Sequence, residues 1–243
     1  MNTLENKVAV VTGASSGIGR AIALELGALG ARLFLVGRNL ESLRSVADAA
    51  NAKAPRETRC YQADLAVDRD VDQLVADILR DARSVDILVH SAGVIQLGPL
   101  EAATAGQLDS HYKTNLRAPY VLTQGLLPAL KSGPGQVLFV NSSAAFAAKA
   151  NVGQYAASKH ALKAVADSLR DEVNPAGVRV LSLFLGRTAS PMQAAVHAME
   201  GRAYHPELLM QPQDVAAVAV HALTLPRSIE VTEISMRPLL RSY

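Results

Sequence analysis

The chain has 243 residues, 49% of them hydrophobic, and a formal net charge of only +2. That supplies a large buried core for an α/β domain, and too little charge excess to draw nucleic acid or an anionic membrane surface. One cysteine, Cys60, excludes an internal disulfide and a cysteine metal cluster.

Short apolar runs lie at residues 7–12, 32–36, 58–63, 85–90, 136–141, 178–185 and 229–235. They are rich in Val, Leu and Ile, and several lack polar alternation, as parallel strands buried on both faces do. Cys60 reads as a small hydrophobe beside a strand. Stretches with helical spacing fall between the runs, at 18–29, 71–80, 107–130 and 156–173. The alternation predicts a doubly wound sheet of about seven mainly parallel strands, with helices on both faces. Ser132-Gly133-Pro134-Gly135 reads as a turn into a strand, so residues 1–243 are expected to form one domain. Residues 187–213 carry Pro191, Pro206 and Pro212 and allow two readings: a mobile cover over a substrate, or an ordinary surface helix and loop. No apolar run is long enough for a membrane span. Glu5 and Lys7 interrupt any signal pattern, so a cytoplasmic protein with no membrane or nucleic-acid partner is expected.

The first strand runs into Thr12-Gly13-Ala14-Ser15-Ser16-Gly17-Ile18-Gly19, and a helix begins near Gly17. Glycines permit positive φ and let backbone N–H groups approach a pyrophosphate, and the helix N-terminus adds partial positive charge. A glycine triplet alone also suits any tight turn; the strand before and helix after strengthen the phosphate reading. The loop resembles the Thr-Gly-x-x-x-Gly-x-Gly loop of the short-chain dehydrogenases/reductases. The likeness runs from Lys7 to about Pro238, nearly the whole chain. It implies a single-domain Rossmann-like fold and a nicotinamide cofactor. Residues 1–100 would form the cofactor half, with Gly13, Ser15, Ser16, Gly17, Ile18 and Gly19 at its phosphates. Residues 101–243 would form the catalytic and substrate half.

The second strand ends at Arg38, with no Asp or Glu to bind a ribose 2′-OH. An arginine there suits the 2′-phosphate of NADP and can stack on adenine, with Ser15 adding a hydroxyl; the bland alternative is a solvated surface charge. The resemblance places Asp64 and Leu65 at the adenine ring, though an Asp at a strand end also serves as a cap or turn residue. It places Ala92 and Gly93, in His90-Ser91-Ala92-Gly93, beside the cofactor's ribose. His90 stands where the family usually has Asn, and reads as a structural hydrogen-bonding residue.

Reduction of a carbonyl needs a proton donor and a hydrogen bond that polarises the oxygen. Tyr155-Ala156-Ala157-Ser158-Lys159 puts Tyr155 and Lys159 one helical turn apart on one face. A nearby ammonium and an oxidised nicotinamide are expected to lower the phenol's pKa. By the resemblance, Tyr155 is the acid/base and Lys159 also binds the nicotinamide ribose. Ser142, 13 residues earlier, would hold the substrate oxygen, with Ser143 the competing assignment. Asn115 would hold a water that links Lys159 to solvent. Gly186 and Thr188, in Phe184-Leu185-Gly186-Arg187-Thr188, would contact the carboxamide; Leu185 replaces the family's usual proline. No metal is required.

The implied function is NADP(H)-dependent hydride exchange with a small carbonyl or alcohol. A non-catalytic NADP-binding scaffold on the same fold is the alternative. A serine hydrolase lacks its Gly-x-Ser-x-Gly elbow, and an isomerase or dehydratase on the same loop and tyrosine is harder to separate. The pocket, drawn from residues 94–97, 144–153 and 187–204, reads as mainly apolar with no fixed acid. Arg187, Arg202 and His197 could meet an anionic group or lie in solvent. Residues 231–238 resemble the last strand of general NADP-dependent members and lack the Gly-rich ending of acyl-carrier-protein ketoreductases. The resemblance also implies a homodimer or homotetramer, for which Ala156, Ala157, Ala161 and Ala164 offer a small-residue face.

Overall fold

The structure, a computed structural model, describes residues 4–54 and 56–240. Seven strands form one sheet in the order β3-β2-β1-β4-β5-β6-β7: β1 Val8–Thr12, β2 Arg32–Gly37, β3 Thr58–Gln62, β4 Ile87–His90, β5 Gln136–Ser142, β6 Arg179–Leu185 and β7 Glu233–Met236. Every strand pairing among the described residues is parallel. The fold is therefore the Rossmann-like doubly wound sheet that the alternation predicts.

The lack of alternation in the strands has a direct cause. Ala9 and Val11 of β1 point into one apolar layer, with Ile22 and Leu26 of α1 (Gly17–Ala28), Leu43 and Val46 of α2 (Leu40–Lys53), and Val215 and Ala219 of α8 (Pro212–Thr224). Val8 and Val10 point into the other, with Leu74 and Ile78 of α3 (Asp68–Asp81), Leu122 and Leu126 of α5 (Ala118–Lys131), and Leu162 and Ala166 of α6 (Gly153–Val173). Both faces are dry, so both need apolar residues. The sequence order reverses between β1 and β4, and the crevice at such a switch point, beyond the strand C-termini, is where open α/β sheets bind ligands.

Three expectations change in detail. The single helix over 107–130 is two helices, α4 (Ala105–Tyr112) and α5, joined by one π turn at Lys113–Arg117. Pro119 has no N–H for the carbonyl of Asn115 four residues earlier, and its ring crowds that carbonyl, so the helix widens there. The last strand begins at Glu233, not at 229, because the preceding loop wraps Arg179, whose Nη1 donates to the carbonyls of Leu225, Pro226 and Ile229. Residues 187–213 form the surface helix α7 (Pro191–Met199) and a short 3-10 turn, Pro206–Leu208. The segment is tied back where Thr188 pairs with Met210.

Candidate active site

A cleft of about 790 Å³ opens at the switch point. Its floor is the turn after β1. Gly13 sits at φ +65°, and a Cβ there would lie 2.7 Å from the Ala92 nitrogen. A Cβ on Gly19 would lie 2.4 Å from the Gly13 carbonyl oxygen. Both positions therefore demand glycine on contact grounds. Thr12, which the sequence reading passed over, fixes the turn against the next strand: its hydroxyl donates to the Val89 carbonyl and accepts from Ser91 and Ala92 N–H. Ser16 is the N-cap of α1, yet its hydroxyl takes no N–H of the first turn. The helix thus presents its N-terminus to the cleft without a capping side chain.

Ser15, Ser16, Gly17 and Ile18 line this end with Gly37 and Arg38. Arg38 is exposed, and among the described residues its guanidinium forms no ion pair. Its carbonyl is held by Gln62 Nε2 at 3.0 Å. Asp64 and Leu65 form the adjoining wall, and Asp64 also makes a turn, its Oδ1 accepting from Ala66 N–H at 3.0 Å. Ala92, Gly93, Gly186 and Thr188 line the middle of the cleft. Thr188 is buried and donates to the Gly186 carbonyl.

Tyr155, Ser142 and Lys159 meet at the other end. The Ser142 hydroxyl hydrogen-bonds the Tyr155 oxygen and accepts from Ala144 N–H at 3.1 Å. Ser143 is exposed on the same rim. Lys159 lies one helical turn from Tyr155, its Nζ 5.9 Å from the phenol ring centroid and donating to the Val140 carbonyl at 3.2 Å. Burial pulls its pKa from 10.5 to about 8. Burial also raises the Tyr155 phenol above its ordinary value, and the Ser142 bond offsets only part of that. The protein's own groups thus move Tyr155 opposite to the expected direction, because desolvation of a buried phenolate outweighs them.

Asn115 is wholly buried behind the cleft wall. Its Oδ1 accepts from Val94 N–H at 2.8 Å, and its Nδ2 donates to the Val94 carbonyl and to Ser158 Oγ. The side chain fastens the loop after β4 to α6, which carries Tyr155 and Lys159.

The remaining wall is Val94, Ile95, Leu97, Ala144, Ala147, Val152 and Met192, the expected apolar pocket. Two details differ. Glu200 lines the cleft, so an acid is present, but it pairs with Arg187 at 2.7 Å, taking the charge that an anionic ligand would need. His197 is buried with Nδ1 2.8 Å from the Gln193 carbonyl, so it braces α7 and does not point at a ligand. Arg202 is exposed outside the cleft lining, whereas Lys149, unmarked by any motif, is in it.

His90 is buried between Thr123, whose Oγ1 is 2.7 Å from Nε2, and the ring of Phe139. Burial takes its pKa from 6.5 to about 3, so it stays neutral. Between those values the unfolded chain binds a proton that the folded chain refuses, and stability falls as pH falls. From pH 6.5 to 4.5, a His90→Asn variant is expected to lose roughly 2 kcal/mol less unfolding free energy than the parent. Urea titrations at the two values check this; parallel losses would acquit His90.

Among the described residues no helix is long and apolar enough to cross a membrane, and no group of three metal-ligating side chains forms. The family model for short chain dehydrogenase matches residues 7–201. An uncharacterized oxidoreductase of Staphylococcus epidermidis is 32% identical over 240 residues, 98% of this chain and 100% of its own. A metagenomic short-chain oxidoreductase in complex with NADP superposes with a TM-score of 0.85 at 31% identity, over 98% of this chain and 100% of its own. An alcohol dehydrogenase from the archaeon Thermococcus sibiricus, complexed with 5-hydroxy-NADP, superposes at 0.89 with 26% identity, over 98% and 99%. The chain belongs to the short-chain dehydrogenase/reductase family of oxidoreductases.

Proposed function

We propose that the protein is an NADP(H)-dependent oxidoreductase that interconverts a carbonyl and an alcohol, with Tyr155 as general acid/base. One observation carries this reading. A single cleft holds the glycine cradle and uncapped helix end, Arg38 at its far side, and the Ser142–Tyr155–Lys159 group. The cradle fits a pyrophosphate, since a Cβ at Gly13 or Gly19 would fill it. Gly13, Ser15, Ser16, Gly17, Ile18 and Gly19 would hold the phosphates, Arg38 the 2′-phosphate, and Asp64 and Leu65 the adenine. Ala92, Gly93, Gly186, Thr188, Tyr155 and Lys159 would hold the nicotinamide half. NADP complexes among the relatives support this choice of cofactor.

Bound NADPH would supply a hydride to the substrate's carbonyl carbon. The chain's own residues handle the oxygen and the proton. Ser142 orients the substrate oxygen toward the Tyr155 hydroxyl, which donates its proton as negative charge develops. Lys159, with a pKa of about 8, holds a transferable proton near neutral pH and stabilises the phenolate left behind. Asn115 holds the loop and α6 in register, and its carbonyl, without an N–H from Pro119, is placed to accept from a relay water. The apolar wall selects an apolar body around the carbonyl. We also propose a homodimer or homotetramer built on α4, α5 and α6, where Leu108, Tyr112 and Tyr120 are exposed. Light scattering after gel filtration checks that: a monomer at all concentrations would refute it.

Titration with NADPH and NADH, followed by cofactor fluorescence, tests the cofactor claim. Arg38→Ala is expected to weaken NADPH binding about 10- to 100-fold and to leave NADH within about twofold, since charge-assisted hydrogen bonds to the extra phosphate are lost. Equal weakening for both cofactors would move Arg38 away from the 2′-phosphate.

A further inference from the structure

His111 is a residue that no motif marks. It lies on the last turn of α4, four residues before Asn115, and has no exposed surface. Its Nδ1 is 2.7 Å from the Gln107 carbonyl, and its Nε2 accepts from Gln96 N–H at 3.0 Å. Nδ1 must carry the proton to bond a carbonyl, and Nε2 must lack one to accept an N–H. The ring is therefore neutral and in one tautomer. Its edge meets the Tyr155 ring, with centroids 6.1 Å apart and planes at 70°.

The Gln96 N–H belongs to the loop whose Val94, Ile95 and Leu97 wall the substrate end of the cleft. That loop has no strand or helix partner, so side chains and turns hold it. Asn115 takes both backbone groups of Val94, Gln154 Nε2 donates to the Gln96 carbonyl at 3.3 Å, and Gly98 N–H donates to the Asn151 carbonyl. His111 supplies the remaining bond at Gln96 and also touches the tyrosine. We infer that His111 is a positioning residue that sets the distance between the 94–97 substrate wall and the Tyr155 hydroxyl, and so governs which carbonyl compounds fit.

His111→Leu keeps the bulk and removes the acceptor, leaving the Gln96 N–H unbonded. His111→Gln puts an amide oxygen where Nε2 stood and restores it. The experiment compares the two full-length variants with the parent by amide hydrogen exchange, NADPH affinity and carbonyl-reduction kinetics. In the Leu variant, peptides spanning 91–98 are expected to exchange about tenfold faster, while peptides of β1 and α1 and the NADPH affinity stay unchanged. Its KM for the carbonyl compound is expected to rise about tenfold, with kcat falling less. The Gln variant returns both to near the parent. A folding defect would instead lower kcat at constant KM, by removing active molecules.

Unchanged exchange in the Leu variant, exchange that quickens equally in β1 and α1, an unchanged KM, or no recovery with Gln would each overturn the assignment. The kinetic arm rests on the oxidoreductase reading. A parent protein that reduces no carbonyl compound with NADPH sinks that reading, and the specificity role with it. The exchange arm still decides by itself whether His111 clamps the loop.

Discussion

Tyr155→Phe is expected to lower kcat/KM for carbonyl reduction by about three orders of magnitude, within the range general acid catalysis supplies. The substitution removes one oxygen and keeps the ring. The edge contact with His111 survives, and the fold and the NADPH affinity should stay within about twofold of the parent. Steady-state rates with a fluorescence-derived cofactor affinity separate the two effects. A variant that keeps more than about a tenth of the activity would remove Tyr155 from the acid role. The pH dependence has a sign as well. Burial raises the phenol's pKa, so Tyr155 remains a proton donor through neutral pH. Lys159 loses its proton near pH 8. Reduction should hold level below that value and decline above it.

Gly19→Ala is the second large effect. The added Cβ would sit 2.4 Å from the Gly13 carbonyl oxygen, a backbone atom that cannot step aside without moving the turn. The strain of such overpacking is about 1–3 kcal/mol, and it falls on the cradle. NADPH affinity should fall roughly 10- to 100-fold, with thermal unfolding lowered by several degrees, about 4 °C or less for a chain this long. Gly98→Ala is the control, because nothing lies within 4 Å of a Cβ there. Equal cofactor binding in both variants would mean that the turn after β1 is not the phosphate site.

The sheet was legible because two-faced burial leaves a plain mark: runs such as Val8-Ala9-Val10-Val11 without polar alternation. The cradle was legible because contacts under 3 Å can be met only by glycine, so its spacing is imposed by geometry. Tyr155 and Lys159 share a helix, and their meeting follows from the helical repeat. What stayed hidden depends on chain segments far apart in sequence. The π turn comes from Pro119 acting on a carbonyl four residues back, inside a stretch whose apolar spacing still looks like one helix. His111 reads as a lone histidine until Gln96 and Tyr155 arrive beside it. Arg187 looked free for a ligand because Glu200, 13 residues on, returns to it only after α7 turns the chain back. The direction of the Tyr155 shift was misjudged because burial is not written in a motif.

The most direct test is transfer of deuterium from 4-deuterated NADPH to a panel of apolar ketones and aldehydes, with products read by mass spectrometry. The account predicts deuterium on the new carbinol carbon with the parent protein, and its loss with Tyr155→Phe despite retained cofactor binding. NADPH that binds but transfers no deuterium to any carbonyl compound, or that does not bind at all, would contradict it.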